Sequence, residues 1–248
     1  MDTKPLKIGG FSQGIYEESS TQKETIGSRR FTEDGRVFAY AKNGAVALAA
    51  AKITQSAVPD TNAHDEAMPG AVALGATNLS VTFGGAIAQD AYKDGFMHVN
   101  DGTGEGHIYR VKGHPAATAA NSYTVTVQLH EPIRVALVIT TSLVTFTKHP
   151  QDAVIVYPTT GTSVPAGVPL IPVTAAYYFW NQVKGPCPIL TDGTVVIGQH
   201  VRVSDGTAGA VEPLDRDGTA EDEAAVGTVL QVNVTTDYSI IMLDIPGY

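Results

Sequence analysis

The stretch Tyr123-Thr-Val-Thr-Val-Gln-Leu129 indicates the class of fold, because polar and apolar side chains alternate along it. Successive side chains of a β-strand point to opposite faces of the sheet. The alternation therefore predicts a strand with one buried face and one face in water.

Short β-rich runs continue on both sides of this stretch, and turn residues separate them. The turns carry Asp-Gly pairs, which tolerate positive φ and favour hairpins; they are Asp94-Gly95, Asp101-Gly102, Asp192-Gly193, Asp205-Gly206 and Asp217-Gly218. The other candidate strands are 79–83, 96–99, 107–112, 134–140, 143–147, 153–157, 170–174, 176–183, 194–203, 228–234 and 238–244. Strands spaced in this way predict an all-β fold of antiparallel β-sandwich or barrel units.

The order of these runs predicts four parts. Residues 1–56 form an extended N-terminal arm, 57–157 a first β-unit, 158–169 a linker rich in Pro, Gly, Ser and Thr, and 170–248 a second β-unit. At most one short helix is expected, over residues 45–51, where Ala and Leu are strong helix formers. It is short enough to need tertiary contacts.

The arm is polar, and its apolar residues are too isolated to make a core of their own. Its spaced aromatic and arginine residues are of the types that anchor interfaces. The candidate partner-binding residues are Tyr16, Arg29, Arg30, Phe31, Arg36, Phe38 and Tyr40. The alternative is a frayed terminus without a role.

The run Tyr177-Tyr-Phe-Trp180 places Tyr178 and Trp180 on one face of a strand. If that face is open, the two rings could stack a sugar. If it is covered, they belong to the core or to an interface between subunits, which is the interpretation we favour. Trp180 is therefore expected to be substantially buried.

Composition excludes several classes of protein. Sixteen Lys and Arg against 25 Asp and Glu give a formal charge of −9, which disfavours binding to nucleic acid or to an anionic membrane. The one cysteine, Cys187, permits no internal disulfide and no cysteine-based zinc cluster. Without a signal-like start or a long apolar run, we expect synthesis in a reducing cytoplasm.

The motifs that carry chemistry are all weak. Gly10-Phe-Ser-Gln-Gly14 matches a nucleophile elbow but lacks the strand before it and the helix after it. His98, His107 and His114, with Asp101 and Glu105 between them, could converge on a divalent cation, although ordinary surface histidines are the favoured interpretation. The acidic run 214–223 fits a calcium loop poorly and is expected to be a solvated loop. We therefore expect no catalytic residues, no metal and no cofactor.

Several segments together resemble, in the same order, head decoration or cement proteins of tailed bacteriophages. They are Ile26-Gly-Ser-Arg-Arg-Phe31, Asp34-Gly-Arg-Val-Phe-Ala-Tyr-Ala-Lys-Asn-Gly44, Asp94-Gly95, Asn100-Asp-Gly-Thr-Gly-Glu-Gly106, 152–158, Tyr177-Tyr-Phe-Trp180, Leu190-Thr-Asp-Gly193 and 226–245. The resemblance implies a β-rich, non-enzymatic virion protein, made in the host bacterial cytoplasm and bound on the capsid surface. It also implies the major capsid protein as partner and self-association, usually as a homotrimer.

Under this hypothesis the arm binds the capsid and the β-body forms the oligomer. Deleting residues 1–43 would then leave the body folded while abolishing capsid binding. The alternative function is a glycan-binding adhesion module, a head fibre or tail component, that uses exposed aromatics such as Tyr178 or Trp180. A third hypothesis is an enzyme with a site between subunits, for which His, Asp and Ser would have to converge in one cleft.

Overall fold

The computed structural model describes residues 10–214, 225–234 and 237–248. The chain is nearly all β, with 41% strand and 3% helix, and it contains a closed six-strand barrel and a curled sheet. The predicted all-β class is therefore confirmed. Two compact units are present: a discontinuous unit of Met1–Ala57 with Pro150–Tyr248, and an inserted unit of Val58–His149.

The strands are short, and 3-10 turns over Thr61–Ala63 and Ala119–Asn121 are the helical elements of the described residues. In chain order the strands are β1 (Arg29–Phe31), β2 (Val37–Lys42), β3 (Thr54–Gln55), β4 (Glu66–Ala67), β5 (Asn78–Thr82), β6 (Phe96–Asp101), β7 (Ile108–Gly113), β8 (Thr124–Leu129), β9 (Leu143–Thr147), β10 (Ile155–Val156), β11 (Pro165–Pro169), β12 (Tyr178–Leu190), β13 (His200–Val203), β14 (Val211–Pro213), β15 (Ala225–Gln231) and β16 (Tyr238–Asp244).

The inserted unit is a closed antiparallel barrel in the order β4-β5-β8-β7-β6-β9. Alternation decides which side chains fill it: on β8, Val125 and Val127 are buried, whereas Thr126 and Gln128 are exposed. Closing the sheet leaves no open edge along the barrel. The sequence therefore predicted both the strand and its buried face correctly.

The discontinuous unit is built around β12, which is 13 residues long. The sheet order is β10-β3-β11-β12-β16-β15-β13-β14, and β2 also pairs with β12. The first half of β12 pairs with β2 and the second half with β16. Strands from both ends of the chain therefore meet on one strand, and the prediction that 1–56 and 170–248 are separate parts is wrong. The predicted first β-unit, 57–157, matches the start of the inserted unit at Val58 but extends past its end at His149.

Two further predictions fail for local reasons. Residues 158–169 are not a linker, because β11 lies within them and pairs with β3 and β12. Residues 45–51 are not a helix. Leu48 instead forms a reciprocal bridge with Val173, with N–H to carbonyl distances of 2.9 and 3.0 Å, and the backbone turns at Ala51 with φ 59°.

The same local arrangement recurs in the inserted unit. Val72 and Leu137 exchange two backbone hydrogen bonds of 3.0 and 2.9 Å. Three residues after each of them the backbone turns with positive φ, at Gly75 and at Thr140. A single bridge followed by a turn replaces the strand expected over 134–140. The bridged residues are buried and apolar, so they pack these loops against the core without adding strands to the sheet.

Among the described residues, no helix has the length and apolar character needed to cross a membrane.

Candidate functional site

The predicted partner-binding residues of the N-terminal segment differ widely in exposure. Tyr16 and Phe31 are 62% and 54% exposed, Arg29 is exposed, and Arg30 and Arg36 are half-buried. Phe38 and Tyr40 are fully buried on β2. The prediction that these two residues bind a partner is therefore wrong, because they belong to the core of their own unit.

Gln13 fixes the N-terminal segment to the sheet. Its side-chain Nε2 donates to the Tyr178 carbonyl (2.9 Å), and its Oε1 accepts from the Tyr40 hydroxyl (2.8 Å). Its own carbonyl accepts from Trp180 Nε1 (2.9 Å) and from Arg30 (3.0 Å). Because Gln13 is itself buried, each of these bonds forms where an unpaired group would be costly.

Trp180 lies at the centre of the aromatic cluster under this segment. Phe11 and Tyr40 contact the indole edge-to-face at centroid distances of 4.9 and 5.1 Å, and Arg30 lies 5.9 Å from the ring centroid. Trp180 is 1% exposed, so its predicted burial is confirmed. Its predicted place in a subunit interface is wrong, since its own chain covers it, and for the same reason it cannot stack a glycan.

Tyr178 is half-buried and belongs to the same cluster. Its ring stacks on Tyr40 at 6.1 Å, and Lys42 Nζ lies 5.6 Å from its centroid. Residues 10–43 as a whole are therefore not an extended arm: they contain two paired strands and supply core side chains. The expectation that deletion of 1–43 leaves the body folded loses its basis.

The weak chemical motifs are accounted for by local structure. In residues 10–214, 225–234 and 237–248, no group of three or more His, Cys, Asp or Glu side chains is placed to hold a metal ion. His114 is buried and accepts from the Tyr92 amide, His107 contacts the Gly104 carbonyl, and Ser12 Oγ donates to Glu24. Most of the acidic run 214–223 lies outside the described residues.

Cys187 is buried on β12, and burial raises the pKa of its thiol to about 12. The thiol is therefore protonated at neutral pH. It packs as a small apolar side chain beside Ile189 and Ile241.

An uncharged surface on the inserted unit is the feature that sequence reasoning missed. Val72 and Leu137 are buried at their bridge, so the adjacent Ala71, Ala73, Ala136 and Val138 are exposed, and Leu74 and Ile139 are exposed in the turns that follow. We call the exposed residues the apolar patch; they are Ala71, Ala73, Leu74, Ala136, Val138 and Ile139. Leu74 is 67% exposed, and Val138 and Ile139 are each 42% exposed.

The sequence contains a signal for this patch. No charged residue occurs in residues 67–89 or 135–147, although 17% of the whole chain is charged. Several exposed apolar side chains on two bridged, uncharged segments are more typical of an interaction surface than a single one is. Both segments also contain candidate strands and turn residues, and that pattern does not separate an exposed apolar surface from a buried one.

His149 of the inserted unit is partly buried close to an ion pair. Arg110 forms an ion pair with the buried Asp94 at 2.8 Å. Burial, together with the nearby Arg110 charge and against the opposing effect of Asp94, lowers the pKa of His149 to about 4. His149 is therefore neutral in the folded protein at neutral pH.

This shift predicts an acid-sensitive fold. Since the folded pKa lies below the ordinary value of 6.5, the unfolded chain binds the proton first, and stability falls as the pH drops from 6.5 towards 4. Between pH 6.5 and 5 the loss from this group is about 2 kcal/mol. Urea unfolding at the two pH values measures it. In His149→Gln this part of the loss in the free energy of unfolding should disappear. His130→Gln, at an exposed position, is the control and should keep the wild-type loss. If His149→Gln lost as much stability between pH 6.5 and 5 as the wild type, the assignment would be contradicted.

Comparison of the chain with family models, with curated proteins and with solved structures gives no match.

Proposed function

We propose that this chain is a non-enzymatic structural protein of a tailed-phage virion, which binds the capsid surface as a decoration or cement protein. Several segments of the chain resemble that class in the same order along the sequence, and this resemblance supports the proposal. The nearly all-β fold also supports it. The partner is the major capsid protein, and the chain associates with itself, as a homotrimer in the class it resembles. Synthesis takes place in the bacterial cytoplasm, and neither nucleic acid nor membrane is a partner.

The observation that carries the proposal is the apolar patch of the inserted unit. Leu74, Val138 and Ile139 are exposed beside the bridge and in the turns that follow it, on backbone that is already ordered, so little backbone entropy is lost when a partner covers them. Completing the burial of each side chain contributes about 1 kcal/mol. Together they supply about 3 kcal/mol to each contact, repeated at every binding site on a capsid lattice.

The means of attachment differs from the one expected from the sequence. An extended arm would gain its order from the capsid, but residues 10–43 are already ordered within their own unit. The proposal therefore assigns capsid binding to the rigid body. A rigid surface binds with a smaller entropic cost than a segment that folds on binding.

Co-sedimentation with capsids from the same source tests the assignment. In the double variant Leu74→Asp/Ile139→Asp, we expect capsid binding at least about 100-fold weaker than in the wild type, because the apolar contribution is lost and two charges must be desolvated. The matched control is Thr126→Asp, which adds a charge at an exposed position of β8.

Wild-type affinity in the double variant would contradict the role of the patch. Absence of binding by the wild-type chain would contradict the function itself. Saturable binding to a glycan array without capsid binding would favour the adhesion alternative.

A further inference from the structure

The exposed turn at residues 138–142 is held to the barrel by one buried serine. Ser142 is fully buried, and its hydroxyl oxygen accepts a hydrogen bond from the Val138 amide at 3.0 Å. The same hydroxyl donates to the Thr103 carbonyl at 2.7 Å. The Ser142 amide also donates to the Val138 carbonyl at 3.0 Å, so Val138 is bound through both of its backbone groups. These bonds join the turn to the loop 101–106.

The loop 101–106, Asp-Gly-Thr-Gly-Glu-Gly, packs directly against this turn. A Cβ atom at Gly102 would overlap the carbonyl oxygen of Thr141, and one at Gly104 would lie 2.7 Å from Leu137 Cδ2. Both glycines also have positive φ, 73° and 92°. Glycine is therefore required at both positions for the loop backbone to lie this close to the turn.

Other bridges of the chain join a buried apolar pair in the same way, and they provide an internal comparison. They are Leu48 with Val173 and Ile87 with Ala117. The residues that directly follow the members of these pairs are Ala49-Ala50, Thr174-Ala175, Ala88-Gln89 and Thr118-Ala119. The pair Val72 and Leu137 is instead followed by Ala73-Leu74 and Val138-Ile139. A bridge therefore does not require large apolar side chains after it, and those of the apolar patch need another reason.

We propose that Ser142 is a positioning residue for capsid binding: with the loop 101–106, it holds Val138 and Ile139 in the arrangement that the major capsid protein contacts. The inference rests on the proposed function and assigns the residue that orders its surface. Without the Ser142 hydroxyl the turn would sample other conformations, and binding would have to order it again. Ser142 acts only through the turn, because it is itself fully buried.

The other half of the apolar patch does not depend on Ser142. Leu74 precedes Gly75, whose amide donates to the Ile133 carbonyl at 2.8 Å. Because this hydrogen bond is separate from those of Ser142, the Gly75 amide provides a reference within the same patch for any change at Val138.

Amide hydrogen exchange of the purified full chain tests the positioning directly. In Ser142→Ala we expect the Val138 amide to exchange at least about ten-fold faster than in the wild type, because it has lost its hydrogen-bond acceptor. The Gly75 amide should keep its wild-type rate.

Co-sedimentation with capsids measures the effect on binding. We expect Ser142→Ala to bind about ten-fold more weakly than the wild type, since part of the turn must be ordered again on binding. Ser204→Ala is the matched control. The Ser204 hydroxyl is also buried and joins two segments, donating to Asp192 and accepting from the Thr207 amide, but it lies in the discontinuous unit. This control should lose comparable stability to urea and bind capsids like the wild type.

The urea midpoint of each variant establishes that it is folded. Ser142→Cys, which keeps most of the volume but is a weak hydrogen-bond acceptor, replaces Ser142→Ala if the alanine variant does not fold.

A Val138 amide that exchanges at the wild-type rate in the folded Ser142 variant would overturn the inference, and so would wild-type capsid affinity in that variant. Equal loss of binding in the Ser142 and Ser204 variants would also overturn it, because it would reveal a general effect of stability. Absence of capsid binding by the wild-type chain would contradict the proposed function instead, and the exchange rates would then decide whether Ser142 orders the turn.

Discussion

Removal of residues 1–43 is expected to unfold the discontinuous unit. The deletion removes β1 and β2, and with them Phe38 and Tyr40, which are fully buried. It also removes Gln13, whose hydrogen bonds satisfy the Trp180 indole and the Tyr178 carbonyl. Loss of two large core side chains alone costs about 6–10 kcal/mol, comparable with the whole stability of a domain.

Fluorescence of Trp180, the one tryptophan of the chain, reports this unfolding. We expect the truncated protein to emit at the wavelength of a solvated indole and to lose its urea transition. Two variants on the same hairpin refine the test. Phe38→Ala should lower the free energy of unfolding by about 3–5 kcal/mol, because Phe38 is fully buried. Phe31→Ala, at a 54% exposed position, should lower it by less than about 0.5 kcal/mol. A truncated protein with buried tryptophan emission and a wild-type urea midpoint would contradict the account.

The second large effect is expected at Trp180 itself. Trp180→Ala leaves a cavity bounded by Phe11 and Tyr40 and should lower the free energy of unfolding by about 3–5 kcal/mol. Trp180→Phe retains an aromatic ring but lacks the N–H that donates to the Gln13 carbonyl, so a loss of about 1–2 kcal/mol is expected.

Urea unfolding followed by circular dichroism measures both Trp180 variants, because neither retains a tryptophan. The order alanine, phenylalanine, wild type in increasing stability is the expected result. A cost below about 1 kcal/mol for Trp180→Ala would show that the N-terminal segment does not pack on the indole.

Local pattern was enough to predict much of the fold. Alternation over residues 123–129 predicted β8 and its buried face, and the candidate strand 238–244 coincides with β16. On β8 the alternation in the sequence matches burial residue by residue. On β16 only the strand was predictable, because Ser239 is buried and Met242 is 42% exposed. The burial of Trp180 was likewise predictable from its place in an aromatic run.

Features that depend on distant pairing were not predictable in the same way. Residues 45–51 have helical propensity, but Leu48 pairs with Val173, far along the chain, and this tertiary contact overrides the local preference. The polar segment 10–43 is not able to form a core of its own. It contributes to a common core because β2 pairs with the distant strand β12. The discontinuous unit could not be recognised for the same reason.

The candidate surfaces show a similar division. Aromatic and arginine residue types predict contact residues, but residue type does not separate the buried Phe38 from the exposed Phe31 on the paired strand. The absence of charge in the apolar patch is visible in the sequence, but the exposure of Leu74, Val138 and Ile139 depends on the bridge between Val72 and Leu137 and on the turns that follow it. Pairing register therefore supplies the information that composition lacks.

A cryo-electron microscopy reconstruction of capsids from the same source, saturated with the purified chain, tests the central claim most directly. The account predicts density for a folded β-body on the outer surface at repeated lattice positions, with Leu74, Val138 and Ile139 against the coat protein. Bare capsids, or density in which residues 10–43 leave their own unit and run extended along the shell, would contradict it.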